Sequence, residues 1–161
     1  MIILIPIEKG DFEAFLEHEI IEYAQDKVKS GNWLAEEALE KSRAEFLSLL
    51  PDGPQTKDQF VFTILNEHTN QKLGVLWVQV KMDEVHRRAF ICDFVIDPQW
   101  RGQGFGKQAL QALDKKLEEM QVKSISLHVF AHNTSAIALY EKMGYSLTNL
   151  YMGKKLGNRA G

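Results

Sequence analysis

The hydrophobic periodicity of this chain changes near residue 59, and the change limits the fold more than any other feature of the sequence. Up to residue 50, apolar side chains recur every three or four positions, which is the spacing of amphipathic helices. From Gln59 onward the pattern becomes runs of β-branched and aromatic residues, which are typical of strands. A strand at residues 2–7 and helices at 11–29 and 38–50 therefore precede a region rich in strands.

Short loops between the strand patterns predict a meander, and the last part of the chain alternates helix and strand. Three strand patterns are separated by polar turn segments and lie at residues 59–66, 73–82 and 89–96. A helix at 104–121 followed by a strand at 124–130 implies a parallel crossover. A short helix at 133–143 and a last strand at 145–155 complete the pattern. We predict a single α/β domain over residues 1–161, whose mixed sheet has an antiparallel N-terminal meander and a C-terminal βαβ unit and is flanked by helices.

Composition narrows the function classes. With 45% apolar and 25% charged residues, the 161-residue chain has the makeup of an ordinary globular domain. Its net charge of −3 argues against a protein that binds nucleic acid by neutralising many phosphates. The first seven residues lack a basic leader and are too few to cross a bilayer, so we expect neither a signal peptide nor a membrane span. The single cysteine, Cys92, is interpreted as a core residue, and the lack of Cys/His pairs at ligand spacing predicts a cytoplasmic chain without a disulfide or a metal.

A glycine-rich segment between the third strand pattern and the next helix carries the chemical information. Residues 97–109 read DPQWRGQGFGKQA, with glycines at 102, 104 and 106. Without Cβ atoms, their backbone N–H groups can converge on an anion at the start of a helix, where the helix dipole also favours negative charge. The spacing excludes a P-loop, which has four residues between its glycines and a hydroxyl after its lysine. A dinucleotide fingerprint is formally present as Gly104, Gly106 and Ala109, but no acidic residue follows at 124–134.

Two motifs of this chain resemble those of the GNAT superfamily of N-acetyltransferases. The first is RGQGFG at residues 101–106, which fits the signature [QR]-x-x-G-x-[GA]. The second is NTSAIALYEKMGY at 133–145, in which a tyrosine follows the asparagine by seven residues and a glycine precedes an aromatic residue. The resemblance is strongest over residues 86–153, which it implies to be the cofactor-binding core. It also implies that residues 1–55 form the acceptor side.

The resemblance implies acetyl-CoA as the co-substrate and assigns residues to it. In the family the glycine loop holds the pyrophosphate, and the corresponding residues here are Arg101, Gly102, Gln103, Gly104, Phe105, Gly106 and Lys107. The preceding strand pairs with the pantetheine amides as a neighbouring strand would, through Phe94, Val95 and Ile96. A backbone N–H of that strand is also expected to stabilise the developing oxyanion. Asn133 corresponds to the residue that binds the pantetheine arm, with helix capping as its alternative role.

Two residues are candidates for proton transfer. Tyr140 is the candidate general acid, because a phenol with a pKa of about 10 is protonated at neutral pH and can donate to the departing thiolate. Packing in the core is the alternative role for its ring. His128 is the candidate base, since it lies five residues before Asn133, where some relatives of similar layout carry a catalytic glutamate. Asp93, the glutamates of the first helix and a chain of water molecules are rival proton acceptors.

The charge is unevenly distributed along the chain. Residues 1–50 carry 11 acidic and 5 basic side chains, a net charge of −6, whereas residues 51–161 carry 11 acidic and 14 basic, a net charge of +3. The resemblance implies direct acetyl transfer, and this charge distribution predicts that the acceptor is a cationic primary amine such as a polyamine, attracted by glutamates at positions 17, 19, 22, 36, 37 and 40. Solvated helix faces are the plain alternative for these glutamates. The alternatives for function are acetylation of a protein N-terminus or lysine, and a CoA-binding module without turnover; a homodimer is left open.

Overall fold

Strands and helices follow one another in the predicted order up to the end of the last helix. The computed structural model describes residues 1–82 and 85–157, and within these ranges its strands are β1 (Ile2–Pro6), β2 (Gln59–Asn66), β3 (Gln71–Met82), β4 (Arg87–Ile96) and β5 (Val122–Leu127). Its α-helices are α1 (Lys9–Lys29), α2 (Ala35–Leu49), α3 (Phe105–Glu119) and α4 (Thr134–Lys142). None of the helices in the described ranges combines the length and apolar character that a bilayer crossing requires.

The strands of the described chain form one mixed sheet. They are ordered β1-β2-β3-β4-β5, and the pairs β1–β2, β2–β3 and β3–β4 are antiparallel. β5 pairs parallel with β4, and α3 makes the crossover between them. The predicted combination of an antiparallel front part with a C-terminal βαβ unit is thereby confirmed.

One face of the sheet is covered by α3. Leu110, Leu113 and Leu117 of this helix lie one turn apart and join a cluster that includes Ile64 and Leu76 of the sheet. All five side chains have 2% or less of their surface exposed. Truncating one of these leucines to alanine is expected to cost about 2–5 kcal/mol, because the surrounding residues are too well packed to close the cavity.

The other face of the sheet is covered by α1 and α2, because alternate residues of a strand face opposite sides. Phe15 and Phe46 pack there against the buried Trp77 of β3. The Trp77 indole N–H donates to the Gln59 side chain at 2.6 Å, so its polar atom is satisfied inside the core.

Irregularities in β4 open the sheet at one end. At Cys92 the register between β3 and β4 shifts by one residue, which makes a β-bulge. The pairing of β4 with β5 extends only as far as Ile91 and Leu127. β4 itself continues to Ile96, so a gap opens between the two strands beyond Ile91.

The last predicted strand does not form, so the prediction of a strand at 145–155 is wrong. Residues 146–157 contain no strand, and no backbone hydrogen bond joins them to the rest of the described chain. A β pattern shows that side chains would fit a sheet, but a strand also needs a partner edge, which the pattern does not locate. β5 likewise ends at Leu127 rather than at residue 130, because its pairing with β4 ends there.

Candidate active site

A large cleft lies where β4 leaves β5. Its volume is about 1190 Å³, and its walls come from α1, the second half of β4, the glycine-rich loop and the start of α4. The cleft therefore joins segments that are far apart in the sequence. Within the described residues, no group of three or more His, Cys, Asp or Glu side chains is placed to hold a metal ion.

Backbone geometry explains the glycines of the loop. Gly102 and Gly104 have φ angles of 74° and 83°, in the left-handed region that residues with a side chain rarely adopt. Gly104 is the N-cap of α3, and the first N–H groups of a helix have no partner within it. Gly106 instead lies close to α4, because a Cβ there would be 3.2 Å from Leu139 Cδ2, which is a tight contact. These three glycines line the cleft together with Phe105, so backbone donors form its wall.

The polar side chains of the loop differ in their placement. Arg101 lines the cleft, and its Nε–H donates to the Ile96 carbonyl oxygen at 2.7 Å, which ties the loop to the end of β4. The Gln103 amide donates to the Gln99 carbonyl oxygen at 3.3 Å. Gln103 and Lys107 are exposed and lie outside the cleft lining. The geometry therefore brings the loop backbone and Arg101 to the cleft, but not the other two predicted side chains.

The end of β4 presents one unpaired edge to the cleft. Phe94, Val95 and Ile96 pair with β3 on one side, while β5 has already separated on the other. Gly74 of β3 allows this close pairing, because a Cβ there would collide with the Val95 carbonyl oxygen. All three β4 residues line the cleft, so the open edge can bind an extended ligand through backbone hydrogen bonds.

Tyr140 of α4 lines the cleft beside β4. Its ring centroid lies 6.4 Å from that of Phe94 and 5.5 Å from that of Tyr145. Burial raises the pKa of Tyr140 well above its usual value, and the nearby charge of Asp93 raises it further. The hydroxyl is therefore protonated at neutral pH. Packing of the ring and proton donation by the hydroxyl are compatible roles.

A pair of carboxyl groups lines the cleft. Glu19 of α1 has 7% of its surface exposed, and its carboxyl is within hydrogen-bond reach of Asp93 on β4. Burial raises the pKa of both groups, and the hydrogen bond and charge of Glu19 raise that of Asp93 further. Two ionised carboxylates cannot donate to each other, so burial of both groups at this distance favours the state in which they share one proton. The Phe94 N–H donates to Asp93 Oδ1 at 2.9 Å and orients that carboxyl.

The sequence analysis did not find this pair. It named Asp93 and the glutamates of the first helix only as separate rivals for the base, and 74 positions separate the two members in the chain. No local spacing encodes such a contact. The one available signal was an acidic residue inside the apolar pattern AFICDFVI at 89–96, which is costly unless a partner compensates it.

Two other predicted residues have different placements. His128 follows the end of β5, is exposed, and packs its ring edge-to-face on Phe130 with centroids 5.0 Å apart. It is not part of the cleft lining. Asn133 does line the cleft, and although it is the N-cap of α4, its side chain makes no capping hydrogen bond. The fold thus groups Asn133 with Tyr140 and leaves His128 outside.

One face of α1 makes the cleft acidic. Glu19, Glu22 and Asp26 are spaced by three and four residues, so they share a helix face, and all three line the cleft. The Asp26 carboxylate lies 3.2 Å from Nε2 of His132 at the start of the α4 wall. The remaining predicted glutamates lie outside the cleft lining: Glu17, Glu36, Glu37 and Glu40.

Cys92 lies at the bulge of β4 and is half-buried against the α1 and α2 cluster. Burial raises the pKa of its thiol to about 12. A thiol that stays protonated at neutral pH is a poor nucleophile. This placement agrees with the interpretation of Cys92 as a core residue.

Known proteins of one family resemble this chain over most of its length. Residues 29–145 match the model of the family described as Acetyltransferase (GNAT) family. The chain is 40% identical over 156 residues to the uncharacterized N-acetyltransferase YycN of Bacillus subtilis, covering 96% of this chain and 99% of that protein. The crystal structure of YycN superposes with a TM-score of 0.93 at 37% identity, covering 98% of this chain and 100% of that chain.

Two partial matches carry names that state an acceptor. The chain is 35% identical over 71 residues to the spermine/spermidine N(1)-acetyltransferase of Bacillus subtilis, which is 44% of this chain and 47% of that protein. It is 38% identical over 68 residues to the ribosomal protein bS18-alanine N-acetyltransferase of Escherichia coli, which is 42% of this chain and 43% of that protein. Each match covers less than half of either protein.

Proposed function

The chain belongs to the GNAT family of acetyltransferases, and we propose that it transfers an acetyl group from acetyl-CoA directly to a cationic primary amine. The observation that carries this proposal is that the glycine loop, the open edge of β4 and the acidic face of α1 line one cleft. The first two suit an anionic, extended donor, and the third suits a cationic acceptor. Direct transfer is favoured because the thiol of Cys92 is protonated and packed in the core.

The donor half of the proposal rests on backbone groups. The N–H groups at the start of α3 and the positive end of its dipole suit the pyrophosphate, and Arg101 adds a positive charge beside them. The edge at Phe94–Ile96 suits the pantetheine amides, and Asn133 lies where it can bind the same arm. A β4 N–H that points at the thioester oxygen would stabilise the negative charge that develops there.

Acetyl transfer requires one proton to leave the amine and another to reach the thiolate. The N–C bond forms as the C–S bond breaks, and an amine with a pKa of 10.4 must first lose a proton, at a cost of about 4.6 kcal/mol at pH 7. The proposed acceptor of that proton is the Glu19–Asp93 pair, because its raised pKa values make it a stronger base than an ordinary carboxylate. The proposed donor of a proton to the departing sulfur is Tyr140, which lines the same cleft.

We propose the carboxyl pair, rather than His128, as the proton acceptor. The pair lines the same cleft as Tyr140, and the charge of Asp93 is close enough to raise the pKa of that tyrosine. His128 is exposed outside the cleft lining. A general base must come within hydrogen-bond reach of the proton that it removes, and the pair lines the cleft whereas His128 does not.

The proposed acceptor is a small molecule with more than one amine. Glu22 and Asp26 lie beside the carboxyl pair on α1, so a second cationic centre of the acceptor would be attracted to them while the first amine reacts. The partial match to a spermine/spermidine acetyltransferase supports this class. The partial match to a ribosomal protein alanine acetyltransferase makes a protein N-terminus the second candidate.

A thiol-release assay with acetyl-CoA tests both candidates. The panel contains spermidine, spermine, a simple alkylamine, a peptide with a free N-terminal alanine, and an N-terminally blocked lysine peptide. We expect the highest kcat/KM with the polyamines. Higher kcat/KM with the alanine peptide would establish the second candidate, and a monoamine acetylated as well as spermidine would contradict the role of the acidic face.

A further inference from the structure

Acetyl transfer to a protonated amine releases one proton for each amide that forms. The amine gives up two protons on its way to the amide, and the departing thiolate takes up only one. If the Glu19–Asp93 pair accepts the first proton, the second replaces the one that Tyr140 donates to the sulfur. The pair then ends each cycle with one proton more than it had at the start, and it must lose that proton before it can accept another.

The carboxyl pair has little direct access to solvent. Glu19 has 7% of its surface exposed, and Asp93 is half-buried on β4. Both residues line the cleft that is proposed to hold acetyl-CoA and the amine, and ligands bound in such a site displace water from it. A proton on the pair therefore needs a side chain that leads from the carboxyl groups to the solvent.

His18 of α1 has the contacts and the exposure that such a side chain requires. Its Nδ1 lies 3.1 Å from Oε1 of Glu19, which is a hydrogen-bond distance, and its side chain is 61% exposed. Since it also lines the cleft, it lies at the rim, between the buried carboxyl groups and the solvent. Imidazole is the side chain that gains and loses a proton most readily near neutral pH. One ring nitrogen can accept a proton from Glu19 while the other delivers a proton to water.

Acidic groups face His18 from its own helix and from β4. On α1, an oxygen of the Glu22 carboxylate lies 3.8 Å from Nε2 of His18. Burial raises the pKa of Asp93 and that of Asp97, the residue after β4, and the charge of His18 opposes the rise in both. The same attraction stabilises an imidazolium at His18. The ring can therefore hold a proton between its arrival from Glu19 and its loss to water.

On the basis of the proposed function, we propose that His18 carries the surplus proton from the carboxyl pair to the solvent. The Glu19 O–H bond breaks as an N–H bond forms at Nδ1 of His18, and the imidazolium then loses its Nε2 proton to water. Exchange with solvent returns the neutral ring to the form in which Nδ1 is free to accept. His18 acts through Glu19 and is not itself the base that removes a proton from the amine.

A comparison of the first turnover with later turnovers tests this relay. The probes are acetyl-CoA and the amine of the assay panel with the highest kcat/KM, followed by rapid quench in weakly buffered solution near neutral pH. His18→Gln keeps a polar side chain that cannot carry a proton, and it should stay folded because the position is exposed. We expect its first turnover to match that of the wild type, because the pair starts without the surplus proton. Later turnovers should be about tenfold slower.

Chemical rescue separates the loss of proton transfer from the loss of packing. In His18→Ala, free imidazole can enter the space of the missing ring, so it should raise the rate of the later turnovers several-fold, whereas an equal concentration of salt should not. His68→Gln is the matched control, because His68 is exposed in the turn after β2 and lies outside the cleft lining. It should keep the wild-type rates.

Three results would each overturn the relay. The first is a slower first turnover in His18→Gln, which would make His18 part of the acetyl-transfer step itself. The second is that later turnovers match those of the wild type, and the third is that imidazole has no effect on His18→Ala. All three presuppose a wild-type protein that turns over. If the wild type releases no thiol with any amine of the panel, the proposed function is wrong, and the relay is wrong with it.

Discussion

The two walls of the cleft differ in the kind of group that they present. On the donor wall, the glycine loop and the edge of β4 present backbone groups, whose positions depend on the φ angles of Gly102 and Gly104 and on the end of the β4–β5 pairing. On the acceptor wall, α1 presents the carboxylates of Glu22 and Asp26. Backbone groups change only when the fold changes, whereas a carboxylate can be replaced without moving the helix. Donor binding is therefore expected to depend on the fold, whereas the choice of acceptor is expected to depend on a few exchangeable side chains.

The largest effect is expected on the donor wall. Gly104→Glu introduces a side chain and a negative charge at a position with a φ of 83°, where the proposed pyrophosphate site lies. We expect acetyl-CoA affinity, measured by calorimetry, to fall by about 100-fold or more. Gly10→Glu on α1 is the control, because Gly10 has a negative φ and open space around its Cβ position. Unchanged affinity in a Gly104→Glu protein that is folded by circular dichroism would remove the loop from the donor site.

A substitution at Tyr140 tests the proton donation that is proposed to occur between the two walls. Tyr140→Phe keeps the ring and removes the proton donor, so we expect kcat to fall by about 10²-fold with little change in acetyl-CoA affinity. Tyr145→Phe is the matched control, since the Tyr145 hydroxyl is buried without a hydrogen-bond partner and its ring touches that of Tyr140. Equal rates for the two variants would assign Tyr140 a packing role alone.

The carboxyl pair predicts a pH dependence. Burial raises the pKa of Glu19 and Asp93, so the ionised proton acceptor is present above those raised pKa values and is lost as the pH falls through them. We expect kcat/KM to decline on the acid side. Asp93→Asn should lower kcat about tenfold or more and change the pH at which this decline occurs, because Glu19 no longer has a second carboxyl group with which to share a proton.

His128→Gln is the comparison for this pH profile. We expect it to leave the acid-side decline of kcat/KM unchanged, because His128 lies outside the cleft lining. If His128→Gln abolishes the decline and Asp93→Asn does not, the base is the histidine.

The smallest effect is expected on the acceptor wall. Glu22→Gln removes one charge whose side chain is 51% exposed, so kcat/KM for spermidine should fall by about two- to fivefold. The wild-type kcat/KM for spermidine should also decline as salt rises, while that for a monoamine with hydroxyl groups in place of the other amines should change less. Glu40→Gln on α2 is the control, because Glu40 is outside the cleft lining. Equal effects of the two substitutions would show that the acidic face of α1 is a solvated surface without a role in acceptor binding.

Periodicity predicted the arrangement of elements up to α4 because burial acts locally on each element. The apolar spacing of α3 follows the helix repeat, and the paired strands carry β-branched residues in uninterrupted runs. The same logic failed at residues 145–155, where the strand pattern is present but residues 146–155 form no strand. A strand, unlike a helix, satisfies its backbone only through another segment.

The glycine loop could be predicted from local sequence, since its conformation depends on residues within a few positions of one another. Gly102 and Gly104 permit left-handed backbone angles, and α3 supplies its N–H groups directly afterwards. Which acidic side chains come together in the cleft depends instead on tertiary packing. Glu19 meets Asp93 because α1 packs over the bulged end of β4, and His128 is excluded because β5 diverges from that strand. Contacts between distant segments depend on the packing of whole elements, which no local spacing contains.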